Sequence, residues 1–589
     1  FGTDAAPIYA VNQGFDTKYL AAYRSNVEGS DLKYENKTMT TANASEITLK
    51  KVEEGWKLMD ENNKYIISNN ADIALTDKAD EATVWTITIT EGDAKIASDD
   101  NIIYYNTSSP RFKTYTSAQT AIKIYRKPGL SEAEISQGEE MSASELATNA
   151  KVTIKDGGSL LIDVSKTLGN VVVEEGGKVT ISGTATLTVN NFVIKSSMGG
   201  GKSGQVLGVT STNFTIESNA YYDVTMDKCV EGSTIADQWH AFAVPFNVDA
   251  INGIYDLDDN KLTNEVNYAI MDYHGDVRAT GAYGWKKFRG IMNPGVFYLM
   301  TVDGLRTTYR MKMKDGFQVS SSTISVTSYT GAGTDFDAGW NGIANNQLSY
   351  SSVGVDVQVL NPVSYTFEPK RASECNFTVG TPFFYQAGTT GAIDLTAPNA
   401  SAYYAPRRMA ESEIKNVDVT LANDRYTDHL YLSATDEATA EYQIGRDLVK
   451  MTMTATPSVP QIFALAYNAS LCMVDAPLTN DEAQVSIRLY APASGEYTLS
   501  VSNVAAAEVY LLHNGMPVWN LSESAYTLDL EKGNTEGYSL CLRRAHKQTT
   551  DIDVINGSGE SGVQKVIMDN QLYIIYDGQT YNAVGKMVK

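Results

Sequence analysis

Apolar and polar residues alternate with a period of two along much of this chain. In the run from Trp85 to Thr90, Trp85, Ile87 and Ile89 fall on one face and Thr86, Thr88 and Thr90 on the other. That is the pattern of a half-buried strand. The run from Trp56 to Ile67 reads as strand, polar turn and strand, and the run from Trp85 to Ile96 repeats the plan. Ile102–Tyr105 and Ile122–Tyr125 add further strands, with Asn106-Thr-Ser-Ser-Pro-Arg-Phe112 between them. Short strands between turns predict a small trefoil- or barrel-like domain over 15–128, after a leader segment at 1–14. Residues 129–145 are acidic and Ser/Ala-rich. Ser131 with Glu134 matches a helix capping box, so a linker with one short helix is expected there.

A repeat follows. Val152-Thr-Ile-Lys-Asp-Gly-Gly-Ser-Leu-Leu-Ile162 matches Val171-Val-Val-Glu-Glu-Gly-Gly-Lys-Val-Thr-Ile181 at a step of 19 residues, and Asn191-Phe-Val-Ile matches Asn213-Phe-Thr-Ile at a step of 22. β-Branched runs with Gly turns at this period predict a short β-helix over 146–235, in which each coil buries its inner residues on its neighbours. Residues 236–410 read as a β-sandwich region, opened by Trp239–Phe246. Gly284–Phe288 and Pro294–Met300 are expected to be hairpin partners. Residues 411–545 read as a second sandwich, with strands at Leu430–Leu432, Ser486–Tyr490, Tyr497–Val501 and Val509–Leu512. A Gly/Ser-rich linker spans 546–562. Residues 563–589 form a small C-terminal β module with turns at Asp569-Asn570 and Asp577-Gly578. The fold class is all-β.

Composition narrows the function. The 589 residues carry 70 acidic and 47 basic side chains, a net charge of −23. Nucleic-acid binding needs a basic footprint for phosphates; here basic spots are short, such as Arg407-Arg408, so nucleic acid is set aside as a partner. Tyr is abundant at 35, which suits sheets with one wet face. No apolar run is long enough for a transmembrane helix. The chain opens on Phe1 rather than Met, which reads as a form whose export signal has been removed. Cys229, Cys375, Cys472 and Cys541 lie far apart and form no CxxC pair. Two long-range disulfides and four free thiols are both compatible with that spacing.

Three stretches carry a resemblance. Trp239-His-Ala-Phe-Ala-Val-Pro-Phe-Asn-Val248 with Pro294–Leu299 resembles a sandwich of large Bacteroidetes-type exported surface proteins. Asp428–Leu432, Gly495–Leu499 and Tyr526–Leu528 resemble the sandwich that follows it there. The ending Gln571–Gly585 resembles their short C-terminal modules, some of which are similar to type IX secretion sorting domains. The resemblance implies secretion or display on the outer-membrane cell surface, and it brings no catalytic residues with it.

Local chemistry is sparse. The five histidines, His240, His274, His429, His513 and His546, are widely spaced, with no HExxH, so no local metal motif is found. His240 reads as a rim or satisfied core histidine. No GxSxG elbow is present. Gly199-Gly-Gly-Lys-Ser-Gly204 has Ser196 where a P-loop needs Gly, and it reads as a turn of the repeat. Asp256-Leu-Asp-Asp-Asn260 lacks the Gly and distal Glu of an EF-hand and reads as an acidic turn. Asp156, Asp163, Glu174 and Glu175 could supply the two carboxyl groups of a glycosidase, but Asp156 and Glu175 fall at matching turn positions, which favours solvated turns. Exposed aromatics stack on sugar rings, so Tyr104, Tyr105, Arg111, Phe112 and Tyr115 are the candidate ligand-binding patch; completing a small barrel's core and rim is the competing role. No catalytic residue, metal ligand or cofactor is assigned. The sequence thus reads as a non-enzymatic secreted or surface protein, with a solenoid and sandwich stalk, that binds a glycan or a host or envelope protein. The alternatives are a carbohydrate-active enzyme with dispersed carboxylates and a purely structural envelope component.

Overall fold

The computed structural model describes residues 7–12, 19–24, 32–35, 46–60, 64–69, 72–90, 93–106, 111–119, 122–126, 130–198, 201–396, 414–504, 507–544, 563–568, 571–576, 579–582 and 586–587. The chain is all-β, 56% strand against 3% helix. Among the described residues the one α-helical turn is Gly275–Arg278. Among the described residues no helix is long and apolar enough to cross a membrane. Residues 1–405 and 442–459 form one compact unit; 406–441 and 460–589 form another.

The first unit begins with a twelve-stranded sheet. Pro7–Asn12, inside the expected leader, is one of its inner strands, paired antiparallel with Ile122–Arg126 on one side and Glu46–Val52 on the other. The leader assignment is therefore corrected: Ile8, Tyr9 and Val11 are strand-forming residues, and the segment pairs on both of its edges. Leu49, Leu58, Ile66, Ile73, Trp85 and Ile96 fill the core beneath. Trp85 is fully buried and its indole donates to the Ile66 carbonyl at 3.0 Å. Its backbone exchanges hydrogen bonds with Trp56 at 2.8 and 2.7 Å. A Cβ at Gly55 would lie 2.5 Å from the Trp85 carbonyl oxygen, so only glycine permits this approach.

Two parallel ladders come next. One contains Leu130–Ile135, Leu146–Ile154, Lys166–Val173, Leu187–Ser197 and Phe214–Thr225. The other contains Glu140–Ser142, Ser159–Ile162, Lys178–Ile181 and Gln205–Leu207. In-register columns of buried residues run up the first ladder: Ala133, Val152, Val171, Phe192, Ala220, and beside them Ile135, Ile154, Val173, Ile194, Tyr222. The turns stack as well. Gly138, Gly157 and Gly176 all have positive φ, and the Gly138 and Gly157 N–H groups donate to the carbonyls of Gly157 and Gly176 at 3.1 Å.

The stretch expected to be a linker is thus the first rung. Ser131 and Glu134 lie in a strand, and the capping box sits instead at Ser142 and Glu145, on the 3-10 turn Ala143–Glu145. Ala133 and Ile135 pack on Val152 and Ile154, which outweighs the turn-forming composition around them.

The expected boundary at 235/236 does not separate two cores. Phe214–Thr225 pairs parallel with Leu187–Ser197 and antiparallel with Thr308–Lys312, and Ile254–Tyr255 continues the same sheet. One hydrophobic cluster runs from Ala133 to Val379. Trp285–Lys287 and Tyr298–Val302 are not hairpin partners: each flanks Tyr268–Tyr273 on a different side, and His240–Phe242 pairs with Tyr298–Val302. Two more four-stranded sheets follow, around an aromatic core of Trp285, Phe297, Trp340, Phe367 and Phe384. Residues 442–459, expected in the second sandwich, belong to this unit. The fully buried Gln358 amide donates to the Val449 carbonyl at 2.8 Å and accepts from the Met451 N–H at 2.9 Å.

In the second unit ten strands run in the order Met516–Asn520, Ala507–His513, Gly533–Arg544, Glu482–Ala491, Gln461–Ala466, Ala469–Pro477, Thr427–Thr435, Ile414–Ala422, Gly495–Ser502 and Tyr526–Leu530. The two end strands are consecutive in the chain, and the rings of Trp519 and Tyr526 lie 5.6 Å apart, so the sheet nearly closes on itself. Val563–Met568, Gln571–Tyr576 and Gln579–Asn582 form a separate antiparallel three-stranded sheet. The 546–562 linker, the 410/411 boundary, Arg407-Arg408, His546 and the two expected C-terminal turns lie outside the described residues.

Candidate functional site

The aromatic patch falls on the hairpin of Asn101–Asn106 and Arg111–Tyr115. Ile103 and Thr114 are buried. Alternation therefore sets Tyr104 and Tyr115 on the opposite face, both half-buried, with Lys113 across from Tyr104. The Tyr115 hydroxyl accepts from the Asn106 amide at 3.1 Å. In backbone register Tyr105 pairs with Phe112 and Asn106 with Arg111; the side chains of Tyr105, Arg111 and Phe112 lie outside the described part. The structure thus brings Tyr104 and Tyr115 together on one wet face.

The carboxylates of the ladder region are engaged with neighbours one or two rungs away. Lys155 bridges Glu134 (3.5 Å) and Glu174 (3.9 Å), and Lys195 reaches Glu174 at 3.1 Å. Asp156 pairs with Lys202 at 2.8 Å, and Asp163 accepts from the Ser142 hydroxyl at 2.7 Å. Asn170, Asn191 and Asn219 form an amide ladder with donor–acceptor distances of 2.9 and 3.0 Å. Glu175 differs: burial pushes its carboxyl pKa up, and the nearby charge of Asp227 adds to the effect.

The other motifs take structural places. Lys202-Ser203, from the glycine-rich run, forms a short antiparallel pair with Ser196–Ser197. Asp256 caps its own turn, accepting from the Asp258 and Asn260 N–H groups at 3.0 and 2.8 Å. Among the described residues no group of three or more His, Cys, Asp or Glu side chains is placed to hold a metal ion. His240 is buried, its Nε2 lies 2.7 Å from the Ile235 carbonyl, and burial lowers its pKa. All four cysteines are free thiols, and Cys375, Cys472 and Cys541 are buried.

Sequence reasoning missed a hollow of about 370 Å³ lined by Ile251, Lys261, Leu262, Thr263, Asn264, Glu265 and Arg289. Leu262 is buried beneath it, and its N–H pairs with the Ile254 carbonyl at 2.9 Å. Glu265 has φ +63°. Its carboxylate holds Arg289 at 2.6 Å and Lys287 at 3.2 Å. These two hydrogen bonds, Arg289 first, keep its pKa below the ordinary glutamate value. Lys261 donates to the Asn252 side-chain oxygen at 2.7 Å. The Asn264 Nδ2 is buried beside the Tyr268 hydroxyl, which donates to the Ala250 carbonyl at 2.8 Å and keeps its acceptor lone pairs for the amide. The signal for this hollow was Lys286-Lys287-Phe288-Arg289, a dense basic run in an acidic chain. No family model, no curated protein and no solved structure matches the chain.

Proposed function

We propose that the chain is a non-enzymatic binding protein of the cell surface or secreted milieu, contacting a glycan or a protein partner. In this reading the parallel ladders are a short β-helix, the sheets packed on its last rung are a β-sandwich, and together they make a stiff support. The observation that carries the reading is the uninterrupted core from Ala133 to Val379. A closely packed interior transmits force rather than hinging. The engagement of Glu174, Asp156 and Asp163 in ties between rungs favours binding over catalysis, because hydrolysis of a glycosidic bond needs two free carboxyl groups flanking one bond. The surface location rests on the resemblance of Trp239–Val248 and Gln571–Gly585 to Bacteroidetes-type surface proteins.

The test is a native affinity gel of the full chain against plant and host polysaccharides, with a parallel assay for shortened products. Retardation by a glycan without product supports the proposal. Release of oligosaccharides overturns it in favour of a carbohydrate-active enzyme.

A further inference from the structure

The hollow beside Arg289 sets hydrogen-bond donors on an apolar wall. Lys261 contributes an ammonium, Arg289 a guanidinium and Thr263 a hydroxyl. Leu262 and Ile251 give the hollow apolar wall. Its volume of about 370 Å³ lies at the small end of ligand sites, the size of one or two sugar rings.

Among the described residues the one acid lining it, Glu265, already sits on Arg289 at 2.6 Å and shares Lys287 at 3.2 Å. The loop therefore presents its own carboxylate to the cations. That arrangement shows which acceptor the guanidinium suits, since its planar fork of donors matches carboxylate geometry.

We propose that this hollow binds a carboxylate-bearing sugar, a hexuronate unit of an acidic polysaccharide. The sugar carboxylate takes Arg289 and Lys261 in exchange with Glu265. A ring hydroxyl shares a hydrogen bond with the Thr263 hydroxyl, and the C–H face of the ring rests on Leu262 and Ile251. The proposal deepens the glycan branch of the proposed function and rests on it. At physiological salt the Debye length is about 8 Å, so these near cations govern the encounter rather than the net charge of the whole chain.

The experiment is calorimetric titration of the full-length protein with tri-galacturonate, its methyl ester and inorganic phosphate. The variants are Arg289→Ala and Glu265→Gln, both at exposed side chains, with unchanged thermal melting as the folding control. The expected result is binding of the acid, a loss of about tenfold or more in Arg289→Ala and on esterification, and tighter binding in Glu265→Gln, where the competing carboxylate is gone. Acid binding that Arg289→Ala leaves intact overturns the hollow as the site, while glycan binding as such stands. Phosphate competing as strongly as the trisaccharide overturns the sugar assignment. Absence of retardation by every polysaccharide on the affinity gel overturns the broader glycan reading together with this one.

Discussion

Removing Arg310 should do far more damage than removing its partner Asp223. The two join the last rung of the ladder to the sheet that follows, since Tyr221–Thr225 pairs with Thr308–Lys312. The Asp223 side chain is 1% exposed and accepts a two-pronged bond from Arg310, at 2.9 Å from Nε and 2.8 Å from Nη2. Arg310 has other support: Asp259 at 3.1 Å and the Tyr221 ring, 5.2 Å from its guanidinium carbon. Arg310→Met therefore strands a buried carboxylate, at a cost of about 3–5 kcal/mol. Asp223→Ala leaves a cation that keeps Asp259, the ring and partial solvent, and should cost less. The double variant Arg310→Met/Asp223→Leu should recover most of the loss, because the buried charge is gone. Peptide-resolved hydrogen exchange on the full chain reads this locally. At about 1.4 kcal/mol per decade, Arg310→Met should speed exchange in Phe214–Thr225 by roughly two to four decades. Equal losses in both single variants would refute this account of the joint.

Other perturbations separate core from surface. Phe192→Ala empties a fully buried site whose ring meets Phe214 at 5.5 Å, so it should cost about 3–5 kcal/mol; Glu174→Gln, on the outer charge ladder, should cost less than about 1 kcal/mol, and chemical denaturation compares the two. His240 has a folded pKa below its unfolded value of 6.5, so the unfolded chain binds more protons and stability falls as pH drops below about 6.5, by at most about 1.4 kcal/mol per pH unit. His240→Gln should flatten that slope in melting curves between pH 7 and 5, and an unchanged slope would refute the assignment. Burial pushes the Cys375 thiol up to about 12, with Asp356 and Glu374 adding to the shift, so native iodoacetamide labelling should leave Cys375 unmodified and take the half-buried Cys229 first; early labelling of Cys375 would contradict its placement.

What was legible in the sequence follows from the range of each signal. Period-two patterns are local, so Trp85–Thr90 and the strands around Leu430, Ile487, Leu499 and Leu511 could be read directly. The 19-residue step was legible where paired glycines mark the turn. Pairing partners were not: Trp285–Lys287 and Tyr298–Val302 looked like a hairpin because they are close in sequence, yet each pairs with Tyr268–Tyr273. The aromatic patch was legible only as far as alternation reaches within one strand; the common face of Tyr104 and Tyr115 comes from the cross-strand register, which no local pattern supplies. The hollow stayed hidden because it gathers three separated segments, at 251, 261–265 and 289.

The misread first rung shows which kind of evidence outranks which. Composition from 129 to 145 is acidic and small, and composition alone argues for a linker. Register argues otherwise: Gly138 stands 19 residues before Gly157, and Ala133 and Ile135 stand 19 before Val152 and Ile154. A rung at the end of a parallel stack packs a neighbour on one side only. It can therefore use smaller inward residues and a single turn glycine, with Glu139 at the position where Gly158 and Gly177 stand. At those inner positions a Cβ would fall 2.3 Å from the Ile135 carbonyl oxygen and 2.5 Å from the Ile154 carbonyl oxygen, so glycine is required. At Glu139 no rung lies beneath among the described residues, and a side chain is tolerated. Weak repeats at the ends of a stack are what the packing predicts, and the acidic residues of this rung have a use within it, since Glu134 starts the charge ladder that Lys155, Glu174 and Lys195 continue.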